Sequence, residues 1–354
     1  MKYDIIIVGA GAIGLAIAHS LRKSNKNILV VDKEKHFGQH TSSRNSQVIH
    51  SGIYYPQKSN KAIHCLNGNT LLYNFCNKNA IPYNKTGKII IAHNENELRQ
   101  IKKLMDNGIK NGLKGLKIID KNQLFKLEPH LKAEFGLYIP STGIFDAHKF
   151  MSRLEYLSKK DDVDFLYNHE VKSIQRKNKD ISVFFNNNEK VECKILINSA
   201  GLWSDKIANM FSKKKHKLMF YKGDYYSSSK HKNIFSHLIY PLPTKTSLGI
   251  HAVLDLEGNV GFGPNAYPVS EIDYSNDDYF KLDFFKSINK YVDIKYKDLS
   301  LNFSGIRPKI FSKNLTFEDF VIDYQDNFLN LIGIESPGLT SSLSIAEKVA
   351  KIIL

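Results

Sequence analysis

The chain has 354 residues, of which 42% are hydrophobic, and this content allows a large core and more than one domain. Its formal net charge is +15, but the lysines are spread along the whole chain without a basic stripe interleaved with aromatic residues, which argues against a nucleic-acid partner. Three cysteines without metal-ligand spacing argue against a disulfide framework and a metal site, and the lack of any apolar run of about 18 residues excludes a membrane-spanning helix.

The first predicted elements form a βαβ unit. An apolar run at 5–8 has the length and composition of a buried parallel strand, and a second such run at 28–31 ends at Asp32. Between them, the stretch GAGAIG at 9–14 opens a segment with apolar residues at helical spacing. A glycine motif framed by two strands, a helix and a terminal acid predicts a dinucleotide site.

Each glycine of this motif has a separate predicted task. Gly9 permits the tight turn out of the strand, Gly11 lets the backbone approach a pyrophosphate, and Gly14 lets the helix pack closely on the sheet. The phosphates would then face N–H groups at the helix N-terminus. Asp32 would accept hydrogen bonds from ribose hydroxyls and would repel the 2′-phosphate of NADP, so NAD and FAD remain.

The segment that follows this unit, HTSSRNSQVIHSGIYYP at 40–56, is polar and aromatic. An NAD-binding fold would be expected to continue with alternating strands and helices, so this segment favours FAD. By residue types alone, it fits a capped surface loop as well as the wall of an active site.

Helices and strands alternate along the rest of the chain before an aromatic-rich segment. We predict helices at 60–80, 95–112 and within 142–157, the last with Asp146 as a cap near its start. Strands are predicted at 87–93, as a run of short strands over 162–201 that ends in the apolar strand 194–198, as a mainly antiparallel sheet over 217–300 with a hairpin turn at 256–259, and at 328–332 before a terminal helix.

Stretches in order along the whole chain carry a family resemblance: IIIVGAGAIGLAIA, TSSRNSQVIHSGIYYP, GLYIPSTGIFD, INSAGLWSD, YKGDYY, IYPLP, LGIHAV, VGFGPNA, SGIRPK and ESPGLTSSLSIAE. With them the chain resembles the FAD-dependent oxidoreductases of the D-amino-acid oxidase and glycerol-3-phosphate dehydrogenase superfamily. Within this superfamily it most resembles the L-2-hydroxyglutarate dehydrogenases, also called oxidases. Two positions depart from the family pattern: Gln47 stands where Gly is more frequent, and Lys222 stands where Arg is common.

The resemblance implies an α/β protein with two interleaved, discontinuous domains. A Rossmann-type FAD-binding domain is expected over 1–85, 145–212 and 300–354. An α+β substrate-binding domain, built on a mainly antiparallel sheet, is expected over 86–144 and 213–299.

The resemblance also implies that FAD is bound noncovalently. The segment 40–56 would cross under the pyrophosphate and reach the isoalloxazine ring. A cysteine tether near the C-terminus is excluded because no cysteine follows Cys193, and His50 leaves a histidine tether as an alternative. The expected cofactor-binding residues are Gly9, Gly11, Ile13, Gly14, Asp32, Lys33, Thr41, Ser42, Ser43, Arg44, Ser51, Gly52, Val171, Ala200, Gly201, Gly338, Leu339 and Thr340.

Three residues are expected to act on the substrate. Arg307, in SGIRPK, offers a planar guanidinium that matches a carboxylate bidentately, and in amino-acid oxidase relatives an arginine in a similar setting holds the substrate α-carboxylate. Oxidation of a hydroxy acid also needs a base for the hydroxyl proton, and His50 and His251 are equal candidates because both lie in matching stretches. Further substrate-binding candidates are Tyr55, Tyr226, Tyr240 and Lys309.

These features predict FAD-dependent oxidation of a small 2-hydroxy acid by hydride transfer to flavin N5, and the resemblance implies L-2-hydroxyglutarate as the substrate and 2-oxoglutarate as the product. One alternative is an amino-acid or amine oxidase for a glycine-, sarcosine- or proline-like substrate on the same fold. Another is a flavin-binding assembly or RNA-modifying protein, which the charge alone supports. The electron acceptor would be a quinone, an electron-transfer protein or oxygen.

The expected location is the cytoplasm. The N-terminus MKYDIIIVG enters a strand directly and has no signal-peptide pattern. Peripheral contact with the inner face of the membrane stays open.

Overall fold

The computed structural model describes residues 1–177, 180–243, 249–311 and 318–354. Residues 178, 179 and 244–248 belong to segments predicted as strands and lie outside these ranges. The helices are Ala12–Leu21 (α1), Asn60–Lys78 (α2), Glu95–Lys110 (α3), Lys121–Leu127 (α4), Ala147–Lys160 (α5), Ser204–Phe211 (α6), Lys281–Ile288 (α7) and Gly338–Ile353 (α8). The strands are Lys2–Val8 (β1), Ile28–Val31 (β2), Val48–Ile49 (β3), Tyr83–Asn84 (β4), Lys88–Ala92 (β5), Lys117–Asp120 (β6), Phe135–Ile139 (β7), Gly143–Phe145 (β8), Asp164–Leu166 (β9), Val171–Lys177 (β10), Asp180–Phe185 (β11), Lys190–Asn198 (β12), Leu218–Ser228 (β13), Leu238–Tyr240 (β14), Ala252–Leu254 (β15), Val260–Phe262 (β16), Tyr267–Val269 (β17), Ser300–Ile310 (β18), Val321–Gln325 (β19) and Phe328–Ile332 (β20).

The chain divides into two compact units, each made of separate segments. Unit 1 comprises Met1–Asn45, Ala147–Phe220 and Arg307–Leu354, and unit 2 comprises Ser46–Asp146 and Tyr221–Ile306. The later boundaries fall at 147, 221 and 307, where the sequence predicts 145, 213 and 300. The first boundary differs more, because β3 and β4 both pair with β8 and so place the chain from residue 46 onward in unit 2.

Unit 1 is built on an eight-stranded sheet. Its strand order is β10-β11-β12-β1-β2-β9, and β20 pairs with both β12 and β19. The pairs of β1 with β12, β1 with β2, β2 with β9 and β12 with β20 are parallel, and α1 packs against α5 and α8. The apolar strands predicted at 5–8, 28–31, 194–198 and 328–332 are therefore confirmed. Because the carboxyl ends of parallel strands meet at one edge of a sheet, the loops after β1, β2 and β12 lie together.

Unit 2 contains a nine-stranded sheet and a small three-stranded sheet, β3-β8-β4. The order of the large sheet is β17-β13-β16-β15-β14-β5-β7-β6, with β18 beside β13. In this sheet β13 and β16, β14 and β15, β15 and β16, β5 and β7, and β6 and β7 pair antiparallel, whereas β14 and β5 pair parallel. The hairpin turn predicted at 256–259 is confirmed, since β15 and β16 pair antiparallel and the Asp255 N–H donates to the Asn259 carbonyl at 3.1 Å.

Several helices begin at capping residues of their own sequence. The side chain of Ser59 accepts a hydrogen bond from the Ala62 N–H at the start of α2, and that of Asn94 accepts one from the Glu97 N–H at the start of α3. Helix α4 begins with a reciprocal capping box between Asp120 and Gln123. In the described part of the chain, no helix is both long and apolar enough to cross a membrane.

Candidate active site

Helix α1 begins without a capping side chain of its own. Its N-cap residue is Gly11, which offers no acceptor to the first N–H groups of the helix. The Ala12 N–H donates instead to Oγ of Ser42, at 3.0 Å. The fold of unit 1 therefore brings Ser42 to a helix N-terminus that carries a partial positive charge.

The three glycines of the motif make different contacts. At Gly9, φ is +104° and a Cβ would lie 2.5 Å from the Ser199 carbonyl oxygen. At Gly14, a Cβ would lie 1.9 Å from the Gly9 carbonyl oxygen. At Gly11, by contrast, a Cβ would meet only Ser42 Oγ, at 3.0 Å, among the described residues. Gly9 and Gly14 are thus required by backbone packing, whereas Gly11 leaves open a cradle beside the helix N-terminus.

Asp32 lies at the end of β2, next to this cradle. Its Oδ2 accepts a hydrogen bond from the Ala10 N–H at 2.6 Å, and its Oδ1 accepts one from the Glu34 N–H at 2.9 Å. Burial raises the pKa of Asp32, and these two hydrogen bonds oppose the rise. Each carboxylate oxygen keeps further lone-pair capacity, so Asp32 can also accept from ribose hydroxyls.

The segment 40–45 folds as a turn that is anchored to neighbouring parts of unit 1. The Ser43 and Arg44 N–H groups donate to the His40 carbonyl at 3.0 and 3.1 Å, and the Ser43 hydroxyl donates to the Gly38 carbonyl. The His40 ring packs edge-on against Trp203, with centroids 4.7 Å apart. These contacts fix the turn that presents Ser42 to α1.

A second group of polar residues lies in unit 2, around Lys88. Lys88 is the first residue of β5, KIIIA, and only 1% of it is exposed. Its Nζ lies 4.6 Å from the ring centroid of Tyr54 and 4.5 Å from that of Tyr240. Burial lowers the pKa of Lys88 to about 7.

The two histidines proposed as the base both belong to this group. His251 stacks on Tyr240 with ring centroids 3.9 Å apart, and its Nδ1 lies 3.0 Å from the Gly249 carbonyl oxygen. A carbonyl can only accept, so Nδ1 carries a proton, and the neutral form of His251 has its lone pair on Nε2. Burial and, to a smaller extent, the Lys88 charge lower the pKa of His50 to about 3, so His50 is neutral at neutral pH.

Two asparagines hold the backbone of residues 50–55. Asn69 Nδ2 donates to the His50 carbonyl at 2.9 Å. Asn107 Nδ2 donates to the Ile53 carbonyl at 2.7 Å and to the Tyr55 carbonyl at 3.1 Å. The residues on either side of Tyr54 are therefore fixed by the same side chain.

Tyr226 lies in a different environment from the other tyrosine candidates. Its ring packs on Phe284, with centroids 4.5 Å apart, and its hydroxyl is hydrogen-bonded to Asp278. Since successive residues of a strand face opposite sides of the sheet, the neighbouring Tyr225 takes the other side and interacts electrostatically with Tyr240.

The remaining sequence-predicted site residues lie mostly at the ends of elements. In unit 1, Lys33 Nζ lies 3.4 Å above the Trp203 ring. The others of unit 1 are Ile13 in the first turn of α1, Thr41 in the 40–45 turn, Val171 at the start of β10, Ala200 and Gly201 directly after β12, Arg307 and Lys309 half-buried on β18, and Gly338, Leu339 and Thr340 in the first turn of α8. Those of unit 2 are the buried Ser51 and Gly52, the latter with φ of +89°, and half-buried Tyr55.

Sequence reasoning missed Lys88, Tyr225 and Trp203. The sequence does contain a signal for Lys88, because it is a charged residue at the start of the otherwise apolar strand KIIIA. The sequence does not show whether such a lysine is exposed or buried. Trp203 gave no such signal, because its position beside Lys33 depends on long-range packing.

Comparisons with known proteins agree with this architecture. Residues 4–352 match the family described as FAD dependent oxidoreductase. The chain is 33% identical to the mitochondrial L-2-hydroxyglutarate dehydrogenase of Arabidopsis thaliana, over 99% of this chain and 83% of that protein. It is 30% identical to the L-2-hydroxyglutarate dehydrogenase of Indibacter alkaliphilus, over 99% of this chain and 98% of that protein. The solved structure of dithionite-reduced L-alpha-glycerophosphate oxidase from Mycoplasma pneumoniae, with FAD bound, covers 100% of this chain and 95% of its own, with a TM-score of 0.93 and 26% identity.

The nucleotide side of unit 1 fits FAD. The cradle at Gly11, the uncapped start of α1 and the carboxylate of Asp32 match a pyrophosphate and a ribose. The fold class and the cofactor predicted from the sequence are thereby confirmed. The chain belongs to the FAD dependent oxidoreductase family, and its cofactor is FAD.

Proposed function

We propose that this protein oxidises L-2-hydroxyglutarate to 2-oxoglutarate. The observation that carries the proposal is the identity of 30% and 33% to two L-2-hydroxyglutarate dehydrogenases over 99% of this chain. The chemistry of the described residues is compatible with it, since His50 is neutral at neutral pH and can accept a proton, and Arg307 can bind a carboxylate.

The reaction removes two hydrogens from the substrate. The C2–H leaves as a hydride, the C2 hydroxyl loses its proton to a base, and a C2=O double bond forms. Bound FAD supplies the two-electron acceptor for the hydride. Arg307 holds the C1 carboxylate in this proposal, and either His50 or His251 takes the hydroxyl proton.

The pyrophosphate of FAD is assigned to the N-terminus of α1. Gly11 gives it room, Ser42 and the first N–H groups of the helix surround it, and Asp32 accepts from the ribose. The start of α8 also lacks a capping side chain, and Gly338, Leu339 and Thr340 supply further N–H groups there.

A second candidate function is the oxidation of a glycerol phosphate. It is favoured by the structural similarity to L-alpha-glycerophosphate oxidase, at 26% identity and a TM-score of 0.93. Glycerol 3-phosphate has a secondary hydroxyl and a distal anion, as L-2-hydroxyglutarate does, but it lacks the carboxylate next to the reacting carbon. An amine oxidase activity on the same fold is the third candidate.

A panel of reductants under anaerobic conditions separates these functions. We expect L-2-hydroxyglutarate to bleach the flavin absorbance of the purified protein, and its D enantiomer to leave the flavin oxidised. The panel also contains glycerol 3-phosphate, L-lactate, glycine and proline. Bleaching by glycerol 3-phosphate or by the amines, without bleaching by L-2-hydroxyglutarate, would replace the proposed function by the corresponding alternative.

The pH profile of flavin reduction assigns the base. At saturating substrate, a base with the low pKa of His50, about 3, is already deprotonated throughout the neutral range, and the rate then has no acid limb above about pH 5. An acid limb in the neutral range would exclude His50 as the base and leave His251 as the candidate. The variants His50→Asn and His251→Asn check the assignment, because loss of the base should lower the rate of flavin reduction throughout the neutral pH range.

The electron acceptor is assigned to one of three classes: a quinone, an electron-transfer protein or oxygen. We propose a cytoplasmic location, and a quinone acceptor would bring the protein into peripheral contact with the inner membrane face. Re-oxidation of the reduced flavin by air-saturated buffer and by a short-chain quinone, followed separately, distinguishes these classes.

A further inference from the structure

Unit 2 contains a buried lysine beside two buried tyrosine hydroxyls that make no hydrogen bond to the described residues. The hydroxyls of Tyr54 and Tyr240 are buried, and neither makes a hydrogen bond to the described residues. The Lys88 side chain is 1% exposed, and its Nζ lies against the rings of Tyr54 and Tyr240. A buried cation or hydroxyl without partners is costly, so this combination needs an explanation.

The three side chains are neighbours. Lys88 Nζ lies 4.6 Å from the ring centroid of Tyr54 and 4.5 Å from that of Tyr240, and the two phenols interact electrostatically with each other. Each group is a hydrogen-bond donor: the ammonium has only donors, and each hydroxyl has one. What they lack is an acceptor that carries negative charge.

The other titratable groups that face Lys88 do not supply this charge. His50, from the segment before Tyr54, is neutral or positive at any pH. Cys65, from α2, stays a thiol because burial raises its pKa. No carboxylate of the described residues raises the pKa of Lys88, which burial lowers. When Lys88 is protonated, the described part of unit 2 therefore provides no carboxylate to balance its charge.

We propose that Lys88, together with the hydroxyls of Tyr54 and Tyr240, binds the anionic group of the substrate farthest from the reacting carbon. For L-2-hydroxyglutarate this group is the C5 carboxylate, so the inference rests on the proposed function for the identity of the substrate. The same donors could hydrogen-bond to the phosphate of glycerol 3-phosphate. Lys88 is thus a specificity residue that selects substrates with a distal anion over L-lactate.

A pair of substrates tests this proposal. L-2-hydroxyvalerate has the carbon chain of L-2-hydroxyglutarate, with a methyl group in place of the C5 carboxylate. Lys88→Met keeps the length of the side chain and removes the charge. We expect Lys88→Met to lower kcat/KM for L-2-hydroxyglutarate by roughly 10- to 100-fold, the range of a charge-assisted hydrogen bond, and to change that for L-2-hydroxyvalerate by less than about threefold.

The matched control is Lys117→Met, which removes an exposed lysine from β6 of the same sheet and should change neither substrate. Equal losses for both substrates in Lys88→Met would overturn the proposal, because they would show a structural role. Unchanged kinetics for both substrates would also overturn it.

The tyrosines supply an independent test. Neither hydroxyl makes a hydrogen bond within the described ranges, so Tyr54→Phe and Tyr240→Phe should leave the melting temperature unchanged or raise it, while KM for L-2-hydroxyglutarate rises severalfold. Tyr291→Phe is the matched control, because the buried Tyr291 hydroxyl donates to the Ile250 carbonyl at 3.2 Å. It should lower the melting temperature and leave KM unchanged. Tyrosine variants with wild-type KM would remove the hydroxyls from the site.

Binding of glutarate, which has no hydroxyl to oxidise, gives a readout without turnover. Only protonated Lys88 attracts an anion, so the Kd of glutarate for the FAD-loaded protein, followed by perturbation of the flavin spectrum, should rise as the pH increases through about 7. Lys88→Arg stays charged at these pH values, so its Kd should not change with pH. A wild-type Kd that does not vary with pH would contradict a role for Lys88.

The outcomes separate failure of this inference from failure of the proposed function. If L-2-hydroxyglutarate reduces the wild type and Lys88→Met with equal kinetics, the function stands and the anion site fails. If only glycerol 3-phosphate reduces the wild type, and Lys88→Met lowers its kcat/KM, the anion site stands for a phosphate and the proposed function fails.

Discussion

A Gly11→Val variant is expected to fold and to be colourless. The valine side chain would project into the cradle beside the start of α1, where the pyrophosphate of FAD is assigned. The pyrophosphate could then no longer reach the helix N-terminus. It would lose its hydrogen bonds to the N–H groups there and its attraction to the partial positive charge. Folding should survive, because a Cβ at this position would meet only Ser42 Oγ, at 3.0 Å, among the described residues.

The measurement is the ratio of flavin absorbance to protein, followed by the melting temperature. Since bound FAD itself stabilises the folded state, the melting temperature of Gly11→Val should be compared with that of wild-type apoprotein. Gly11→Ala is smaller and should keep part of the FAD.

Gly14→Ala is the matched control for this position. Its Cβ would lie 1.9 Å from the Gly9 carbonyl oxygen and 2.8 Å from Ser199 Oγ, so it should lower the melting temperature of the apoprotein itself. A Gly11→Val protein with full flavin would show that the phosphates bind elsewhere. A Gly11→Val protein that unfolds like Gly14→Ala would make Gly11 a packing residue.

The nucleotide half of the site was predictable because its signals are local in sequence. Strand, glycine turn, helix and terminal acid follow one another within the first 32 residues, and each has a direct geometric consequence. The turn at 256–259 and the apolar strand at 328–332 were predictable for the same reason. The chain has no internal repeat and no low-complexity linker, which favoured two interleaved domains over two sequential ones, and the resemblance agreed with this expectation.

The substrate half depends on contacts between residues that are distant in sequence. Lys88, Tyr54 and Tyr240 meet because β5 pairs with β14 and because Asn107 holds the backbone on either side of Tyr54. No local sequence pattern predicts these contacts. Whether Tyr225 or Tyr226 interacts with Tyr240 depends on which side of β13 faces Tyr240. The sequence cannot predict that side, because β13 carries aromatic residues on both.

Arg307 is assigned to the C1 carboxylate of the substrate for reasons of side-chain chemistry. It lies half-buried on β18 and is followed by Pro308, whose ring restricts the backbone directly after it. The guanidinium fork can give two parallel hydrogen bonds to one carboxylate, which fixes the orientation of C2 as well as its position. An arginine with this task should affect turnover more than cofactor binding.

Arg307→Ala is therefore expected to lower kcat/KM for L-2-hydroxyglutarate by at least about 100-fold. A charge-assisted hydrogen bond contributes roughly 1.5–3 kcal/mol net, a bidentate pair lies toward the top of this range, and about 1.4 kcal/mol corresponds to a factor of ten. The freed substrate can also tilt, which misplaces its C2–H for hydride transfer. Arg307→Lys should recover only part of the loss, because a point charge cannot reproduce two parallel bonds.

The substrate pair distinguishes Arg307 from Lys88. L-2-hydroxyglutarate and L-2-hydroxyvalerate both carry the C1 carboxylate, so Arg307→Ala should lower kcat/KM for both, whereas Lys88→Met should affect only the first. The flavin content of Arg307→Ala should equal that of the wild type and of Arg99→Ala, a control on the exposed face of α3. Normal turnover in Arg307→Ala would remove this residue from the site, and loss of FAD would show that its ligand is the cofactor and not the substrate.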